Sequence, residues 1–451
     1  MASTETQRRM SLWHGNCDPD TASTSGEDGR PDWYVPLDRW PDPVTGNEER
    51  LRGDVAHDAL LREINLRSNS GKGSAQLFAG FRGTGKSTEL ARLADSLRGQ
   101  GDYAVLQVQA EAWYHMVDAP SVEEMGLLLV GAIGHEATER FGVETLKRRS
   151  VWERMKEMLD GASVSPELKV GLIGAELQFV FKAHDGTFRR KLHGLLGDRP
   201  QDLKLFVHSI VEEVVAALAP LQLVVLVDGL EKFKAGPERI GAVYAEVADL
   251  FYAQAELLRL PRCHLVYTVP PYLEAAKPRV GEAYGGRVRL LPSVRVHGPQ
   301  PERKPDEAGI RALAELLGRR VDLAALFGPL AGGCTRALIE ASGGHVRDLF
   351  MLMRETILAG YEDPLPLSAN RTQEAIATWR SGPASHPWPA RTLELLQRID
   401  ADPLLAVLPD DDLSAFAVAM DQFLVLAYRN GVTWYDVHPL VRHRLNLRRP
   451  E

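Results

Sequence analysis

Hydrophobic residues between positions 55 and 270 follow two alternating patterns. Short, nearly continuous apolar runs, typical of buried strands, occupy Ser74–Gly80, Tyr103–Gln109, Leu221–Asp228 and Cys263–Val269. Apolar residues recurring every three or four positions predict helices at Val55–Arg67, Lys86–Gly99, Phe206–Leu218 and Glu238–Arg259, with further helices between 121 and 159. Strands that alternate with helices predict an α/β fold in which helices cover both faces of a parallel sheet.

The pattern changes after residue 291, where strand signals give way to helical ones. Helical periodicity covers Pro305–Gly360 and Arg371–Arg398. Two alternating runs then flank Asn430-Gly431 within Phe423–Leu445, and this dipeptide is typical of a hairpin turn. Helices followed by a hairpin favour a winged-helix-like module, while a plain hairpin that closes a helical domain fits nearly as well.

These changes divide the chain into four segments. Residues 1–50 form an N-terminal arm, and residues 1–30 are rich in Ser, Thr, Asp and Gly, which predicts disorder. We expect residues 51–290 to form the α/β core, 291–382 a helical lid and 383–451 the winged-helix-like module. Aromatic residues interleave with prolines over Asp32–Asp42, so this stretch either packs on the next domain or binds a partner.

Composition and charge narrow the functional classes. The 451 residues are 44% hydrophobic and 25% charged, which suits two or three globular domains. The net charge of −8 means that any nucleic-acid contact needs a local basic patch. One candidate is the C-terminal run of Arg442, His443, Arg444, Arg448 and Arg449, which is either a solvated face or a contact for DNA phosphates.

The few cysteines and the short apolar runs indicate in which cellular compartment the protein is expected. Cys17, Cys263 and Cys334 form no CxxC pair, so we expect neither a disulfide framework nor a zinc site. The N-terminus lacks the apolar core of a signal peptide, and the longest apolar runs are too short to span a bilayer. We therefore expect a cytoplasmic protein without a membrane partner.

The stretch GFRGTGKST carries the strongest chemical signal. It has two glycines separated by four residues, then Lys and Ser, between a predicted strand and a predicted helix. Backbone N–H groups of such a loop surround a β-phosphate, Lys86 reaches the β- and γ-phosphates, and Ser87 ligates Mg²⁺. The predicted nucleotide-binding residues are Gly80, Gly83, Thr84, Gly85, Lys86, Ser87 and Thr88.

A second motif, LVVLVDGLEKF, ends a buried strand in a carboxylate. Asp228 is expected to hold Mg²⁺, directly or through water, and its alternative role is a helix cap. Glu231 is placed to polarise the attacking water, or else is a solvated acid in the turn. No Asn-Lys-x-Asp guanine motif occurs, which favours ATP over GTP.

Three further arginines and one threonine are weaker candidates. Arg347 follows two glycines at the start of an amphipathic helix, where it either senses the γ-phosphate or faces solvent. Thr268, near the end of a core strand, either faces the γ-phosphate or satisfies the strand end. Arg259 and Arg262 are either surface residues or a finger that acts on a neighbouring subunit.

Together, GFRGTGKSTEL, VVLVDGLEKF and SGGHVRDL resemble P-loop ATPases of the AAA+/STAND type between about Leu51 and Leu445. The second motif is similar to NACHT-type proteins, and the third to the sensor-2 helix of origin-recognition proteins. The resemblance implies Mg²⁺-ATP as cofactor, with catalytic roles for Lys86, Glu231 and Arg347. Gly229 stands where AAA+ proteins carry the catalytic Glu, so we expect hydrolysis either to be slow or to rest on Glu231.

The resemblance leaves three functions open. The first is an ATP-binding regulatory switch, as in bacterial antiviral defence, which signals to an effector on another chain and is able to form a homo-oligomer. The alternative is a DNA-acting AAA+ ATPase, such as an initiator, a loader or a transposition helper. The third is a P-loop kinase, although no base is placed for an acceptor hydroxyl.

Overall fold

A computed structural model of the chain describes residues 35–53, 56–143, 154, 193–194, 199–235, 239–299, 301–381, 388–402 and 413–446. The chain forms two compact units. One unit runs from Ala56 to Leu291, and the other combines residues 1–55 with 292–451. The predicted disorder of residues 1–30, the helical prediction beyond residue 143, and Arg448 and Arg449 lie outside the described residues.

The N-terminal arm packs inside the second unit. It forms a small antiparallel hairpin of β1 (Trp40–Pro41) and β2 (Glu48–Glu49). Trp40 is fully buried, and its Nε1 donates to Glu315 at 2.7 Å. Asp42 pairs with Arg311 at 2.5 Å, so the Trp-Pro segment serves as a packing arm within its own unit.

The first unit contains a five-stranded parallel sheet. Its strands are β3 (Ser74–Gly80), β4 (Tyr103–Gln109), β5 (Gln222–Asp228), β6 (His264–Val269) and β7 (Arg289–Leu291). Their spatial order is β4-β5-β6-β3-β7. The glycine loop therefore follows an interior strand, β3, and the central strand β6 separates β3 from the strand that ends in Asp228. The predicted α/β fold class is confirmed.

Helices cover both faces of this sheet. They are α1 (Ala56–Ser68), α2 (Lys86–Gln100), α3 (Ala110–Trp113), α4 (Val122–Phe141), α5 (Pro200–Leu218), α6 (Ile240–Ala253), α7 (Ala255–Leu258), α8 (Leu273–Ala276) and α9 (Val280–Ala283). Apolar residues of α1 and α2 pack on one face, beside Phe78 and Val266. On the other face, the ring of Tyr267 lies 6.0 Å from that of Phe251 in α6. Burial on both faces explains why the core strands are almost entirely apolar.

The second unit is helical and ends in a helix-and-hairpin module. Its helices are α10 (Glu307–Gly318), α11 (Leu323–Phe327), α12 (Ala331–Ser342), α13 (Val346–Ala359), α14 (Ala369–Ser381), α15 (Ala390–Ala401), α16 (Leu413–Asp421) and α17 (Pro439–Asn446). Antiparallel strands β8 (Val425–Asn430) and β9 (Val432–Val437) follow α16. This order agrees with the predicted helical lid and winged-helix-like module.

Several predicted boundaries differ from the structure. The helix predicted over Glu238–Arg259 is interrupted at Gln254, between α6 and α7. The stretch predicted over Arg371–Arg398 is two helices, α14 and α15. The second alternating run ends at Val437, and a helix begins at Pro439, because proline suits the first turn of a helix and cannot donate to a sheet. No described helix is long and apolar enough to cross a membrane.

Helix α4 contains a buried carboxyl group with an altered pKa. Ser121 caps the helix, accepting from the Glu124 amide at 3.3 Å, while the Glu124 side chain accepts from the Ser121 amide at 2.8 Å. Burial, together with the neighbouring Glu123 charge, raises the pKa of Glu124 to about 7. The folded unit therefore binds a proton here that the unfolded chain releases at lower pH.

This proton makes stability fall as the pH rises from about 4.5 to 7, since the folded carboxyl must ionise in a buried site beside the Glu123 charge. We expect Glu124→Gln to increase the free energy of unfolding by about 2 kcal/mol at pH 8, and by much less at pH 5. Urea unfolding at the two pH values measures this. Glu139→Gln, at an exposed position of the same helix, is the control, and equal effects of both variants would contradict the explanation.

Candidate functional site

The glycine loop connects β3 directly to α2. Gly83 and Gly85 have φ values of +85° and +98°, which favour glycine because other residues have a Cβ that is strained there. Gly85 caps α2 without any side-chain hydrogen bond. The first N–H groups of this 15-residue helix are therefore available to an anion, and the helix dipole favours one at the same place.

Lys86 lies in the first turn of α2, with its ammonium group turned back into the loop. Its Nζ donates to the Gly80 and Phe81 carbonyls at 2.9 and 2.7 Å, and lies 3.0 Å from Oε1 of Glu231. Both charged side chains are only 3% exposed. Burial lowers the pKa of Lys86, although the Glu231 and Asp228 charges oppose this shift.

Asp228, at the end of β5, has the environment of a metal ligand. The Ser87 hydroxyl donates a hydrogen bond to its carboxylate. Its Oδ1 is buried and accepts no hydrogen bond from the described residues. Burial, followed by the Glu231 charge, raises the pKa of Asp228. An uncompensated buried oxygen beside a serine hydroxyl fits Mg²⁺, which prefers hard oxygen ligands.

Glu231 is held in place from two sides. The Gly229 amide donates to the Thr268 hydroxyl at 2.8 Å, and that hydroxyl also forms a hydrogen bond with the Glu231 carboxylate. Burial raises the pKa of Glu231, but the Lys86 charge and these hydrogen bonds outweigh it, so that the pKa is lowered. Glu231 is therefore an ionised, oriented carboxylate rather than a solvated acid, and Thr268 orients the turn.

Arg82 is a site residue that the sequence reasoning missed. Its guanidinium donates to the Phe233 carbonyl at 2.9 Å and to the Glu231 carbonyl at 3.3 Å. It thereby ties the glycine loop to the turn that carries Glu231. Positions inside the loop pattern accept any residue, so only the presence of a long cationic side chain there signalled this contact.

Arg347 belongs to the second unit, where its side chain is exposed in the first turn of α13. The neighbouring Asp348 is buried in the same first turn, where it contacts two imidazole groups. Its Oδ2 lies 3.0 Å from Nδ1 of His345 and 3.1 Å from Nε2 of His438. Burial opposes ionisation, but the two imidazoles lower the pKa of Asp348. This cluster connects α13 to the start of α17.

Part of the basic C-terminal run has structural partners. Arg442 lies 2.6 Å from Asp436 and 3.3 Å from Asp400. The Arg444 guanidinium stacks on the Trp388 ring at 4.2 Å. Arg442 is therefore a component of the module's interior rather than a residue of a solvated face.

No protein-family model and no curated protein matches the chain. Similar solved structures include Drosophila ORC bound to DNA, with 11% identity, 98% of this chain and 99% of that chain covered, and a TM-score of 0.36. The Aeropyrum pernix ORC1 protein in complex with DNA has 14% identity, 89% and 94% coverage, and a TM-score of 0.32. Cdc6p from Pyrobaculum aerophilum has 9% identity, with 87% of this chain and 92% of that chain covered, and a TM-score of 0.34. Similarity this distant assigns neither residues nor activity.

We expect Asp228→Asn to preserve or increase the stability of the ligand-free protein, because it removes a buried charge that repels Glu231. The same change removes a ligand for Mg²⁺. Saturating ATP with Mg²⁺, at about 100 times the dissociation constant, stabilises a binding protein by about 2.7 kcal/mol. Thermal unfolding in the presence of ATP is measured with and without Mg²⁺. Added Mg²⁺ should increase the stability of the wild type but not of Asp228→Asn. An equal increase in both proteins would contradict the metal assignment.

Proposed function

We propose that the chain is a Mg²⁺-dependent ATPase whose bound nucleotide acts as a switch. The observation that carries the proposal is the buried pair of Lys86 and Glu231, 3.0 Å apart at the end of a glycine loop. An ammonium group held by carbonyl oxygens and a carboxylate is readily transferred to phosphate oxygens, which supply the same charge and more of it.

Each site residue then has a distinct role toward the nucleotide. The loop from Gly80 to Gly85 surrounds the phosphates with N–H groups, and Lys86 contacts the β- and γ-phosphates. Ser87 and Asp228 would hold Mg²⁺, which supplies charge neutralisation for the transferred phosphoryl group. Thr88 follows Ser87 in the same turn and extends this phosphate-binding set.

Glu231 is proposed to orient the attacking water. When Lys86 turns toward phosphate, Glu231 loses its cationic partner, so its pKa rises and its carboxylate, still beside Thr268, becomes a stronger base. Such a carboxylate accepts a hydrogen bond from water and directs the water's oxygen toward the γ-phosphate. Because Glu231 lies two residues beyond Gly229, where AAA+ proteins carry their catalytic Glu, we propose slow turnover. Arg347 of the second unit is proposed as the γ-phosphate sensor.

Glu231→Gln should reduce the rate of ATP hydrolysis by about 100-fold or more, because the amide cannot act as a base. The amide oxygen still accepts from Lys86, so ATP affinity should change by less than about tenfold. Phosphate release under single-turnover conditions, together with calorimetric ATP binding, separates the two effects.

Glu111→Gln is the matched control, since Glu111 is half exposed and pairs with Lys232 beside the same turn. It should hydrolyse ATP at a rate close to that of the wild type. Wild-type hydrolysis by Glu231→Gln would rule out the assigned base, even if nucleotide binding were intact.

DNA is the better supported of the two partners expected from the sequence. The observation that favours it is the C-terminal order of helices α15 and α16, the β8-β9 hairpin and α17. Winged-helix-like modules of this kind present a helix and a hairpin to nucleic acid. Neither the fold nor the comparisons support an antiviral role, so the effector on another chain and self-association stay outside the main proposal.

Arg448→Ala/Arg449→Ala should weaken DNA binding, and this pair is chosen because Arg442 variants would break interior ion pairs of the module. Each lost phosphate contact should lower the log–log salt slope of binding by about 0.9. Fluorescence anisotropy over a salt series measures this. The control is Arg380→Ala, which removes an exposed arginine from the last turn of α14. An unchanged salt slope in the double variant would contradict the basic-tail contact.

A further inference from the structure

A cavity opens at the amino end of strand β3, whereas the glycine loop follows the carboxyl end of the same strand. It has a volume of about 410 Å³ and is lined by the start of β3, one face of α5 and the loop that precedes β6. Strand β3 has seven residues, so about 20 Å of chain separates this cavity from Gly80. Nucleotide phosphates at the carboxyl end of β3 do not reach it.

The lining of this cavity has an excess of positive charge. Lys204, Arg259 and Arg262 contribute three cations, and Glu256 contributes the single carboxylate. Lys204 pairs with Glu256 at 2.8 Å, but the Glu256 side chain is 85% exposed, where water weakens the attraction. Neither Arg259 nor Arg262 forms an ion pair with any residue that the structure describes. Both guanidinium groups therefore retain their donors for a ligand.

The backbone at Arg262 is strained and rigidly supported. Its φ is +53°, a conformation that non-glycine residues rarely adopt. The next residue, Cys263, accepts a hydrogen bond from the Ser74 amide at 3.2 Å, and a Cβ at Gly73 would lie 2.2 Å from the Cys263 carbonyl oxygen. Close packing thus fixes the backbone immediately after Arg262, while the Arg262 side chain is exposed, and strain maintained in this way is common at binding sites.

His208 provides a local sensor of charge in the cavity. It lies one helical turn after Lys204 in α5, and both side chains line the cavity. Burial, followed by the Lys204 charge, lowers the pKa of His208. An anion bound nearby would favour the imidazolium form and raise this pKa again.

We propose that this cavity binds the phosphate group of a small anionic ligand, through Arg259, Arg262 and Lys204. Guanidinium groups match phosphate oxygens in geometry and charge, and the open depression of about 410 Å³ has room for a small molecule. Binding here is independent of ATP hydrolysis, since none of these residues belongs to the nucleotide site. A loss of ATPase activity therefore says nothing about this cavity.

The test uses inorganic pyrophosphate as the ligand and measures the pKa of His208 by NMR. The His208→Gln variant assigns the His208 signal. Pyrophosphate should raise this pKa by at least half a unit, and nucleotide-site binding about 20 Å away should not. Arg262→Gly should weaken pyrophosphate binding about tenfold while the protein stays folded, because glycine tolerates φ of +53°. Arg262→Lys, which keeps the charge, should restore part of the affinity.

Two further variants make the test specific. Glu256→Gln should tighten binding, because it removes the one carboxylate and releases Lys204. Arg279→Ala, in the exposed turn between α8 and α9, removes the same charge elsewhere and should leave pyrophosphate binding unchanged. The proposal is overturned if pyrophosphate leaves the His208 pKa unchanged, or if Arg262→Gly and Arg279→Ala bind it equally. It is also overturned if a ten-nucleotide single strand binds the cavity more tightly than a phosphorylated sugar.

Discussion

The buried ion pair between Lys86 and Glu231 is the constraint on which the rest of the site depends. Two charges that are almost fully removed from water are tolerated only with close partners, and here each compensates the other. The pair fixes the glycine loop against the turn after β5, and Arg82 adds a second connection between them. The site is therefore preorganised around charges that the proposed Mg²⁺-nucleotide would replace.

The same principle organises the second unit around a different carboxylate. Asp348 is buried between His345 and His438, so the first turn of α13 is fixed to the start of α17. The adjacent Gly343-Gly344 turn allows close packing, since a Cβ on Gly344 would lie 1.9 Å from the Val294 carbonyl oxygen. Arg347 is thus an exposed cation in a helical turn that its neighbours hold in place.

Much of the core was predictable because its signals are local. The strand Ser74–Gly80 and the start of α2 at Lys86 follow from a continuous apolar run and a glycine-rich turn. The pairing of Lys86 with Glu231 was not predictable, because it depends on the order of the strands rather than on spacing in sequence. The burial of Asp348 was missed for the same reason, since its partner His438 lies in a distant segment.

Binding of ATP with Mg²⁺ by Lys86→Ala, measured by calorimetry beside the wild type, tests the central claim most directly. If the Lys86 ammonium moves from Glu231 to phosphate, its removal should weaken binding about 100-fold, as expected for loss of a buried charge-assisted contact. Circular dichroism of both proteins establishes that the core remains folded. A folded variant that binds Mg²⁺-ATP with wild-type affinity would contradict the account, because the buried pair would then have no part in nucleotide binding.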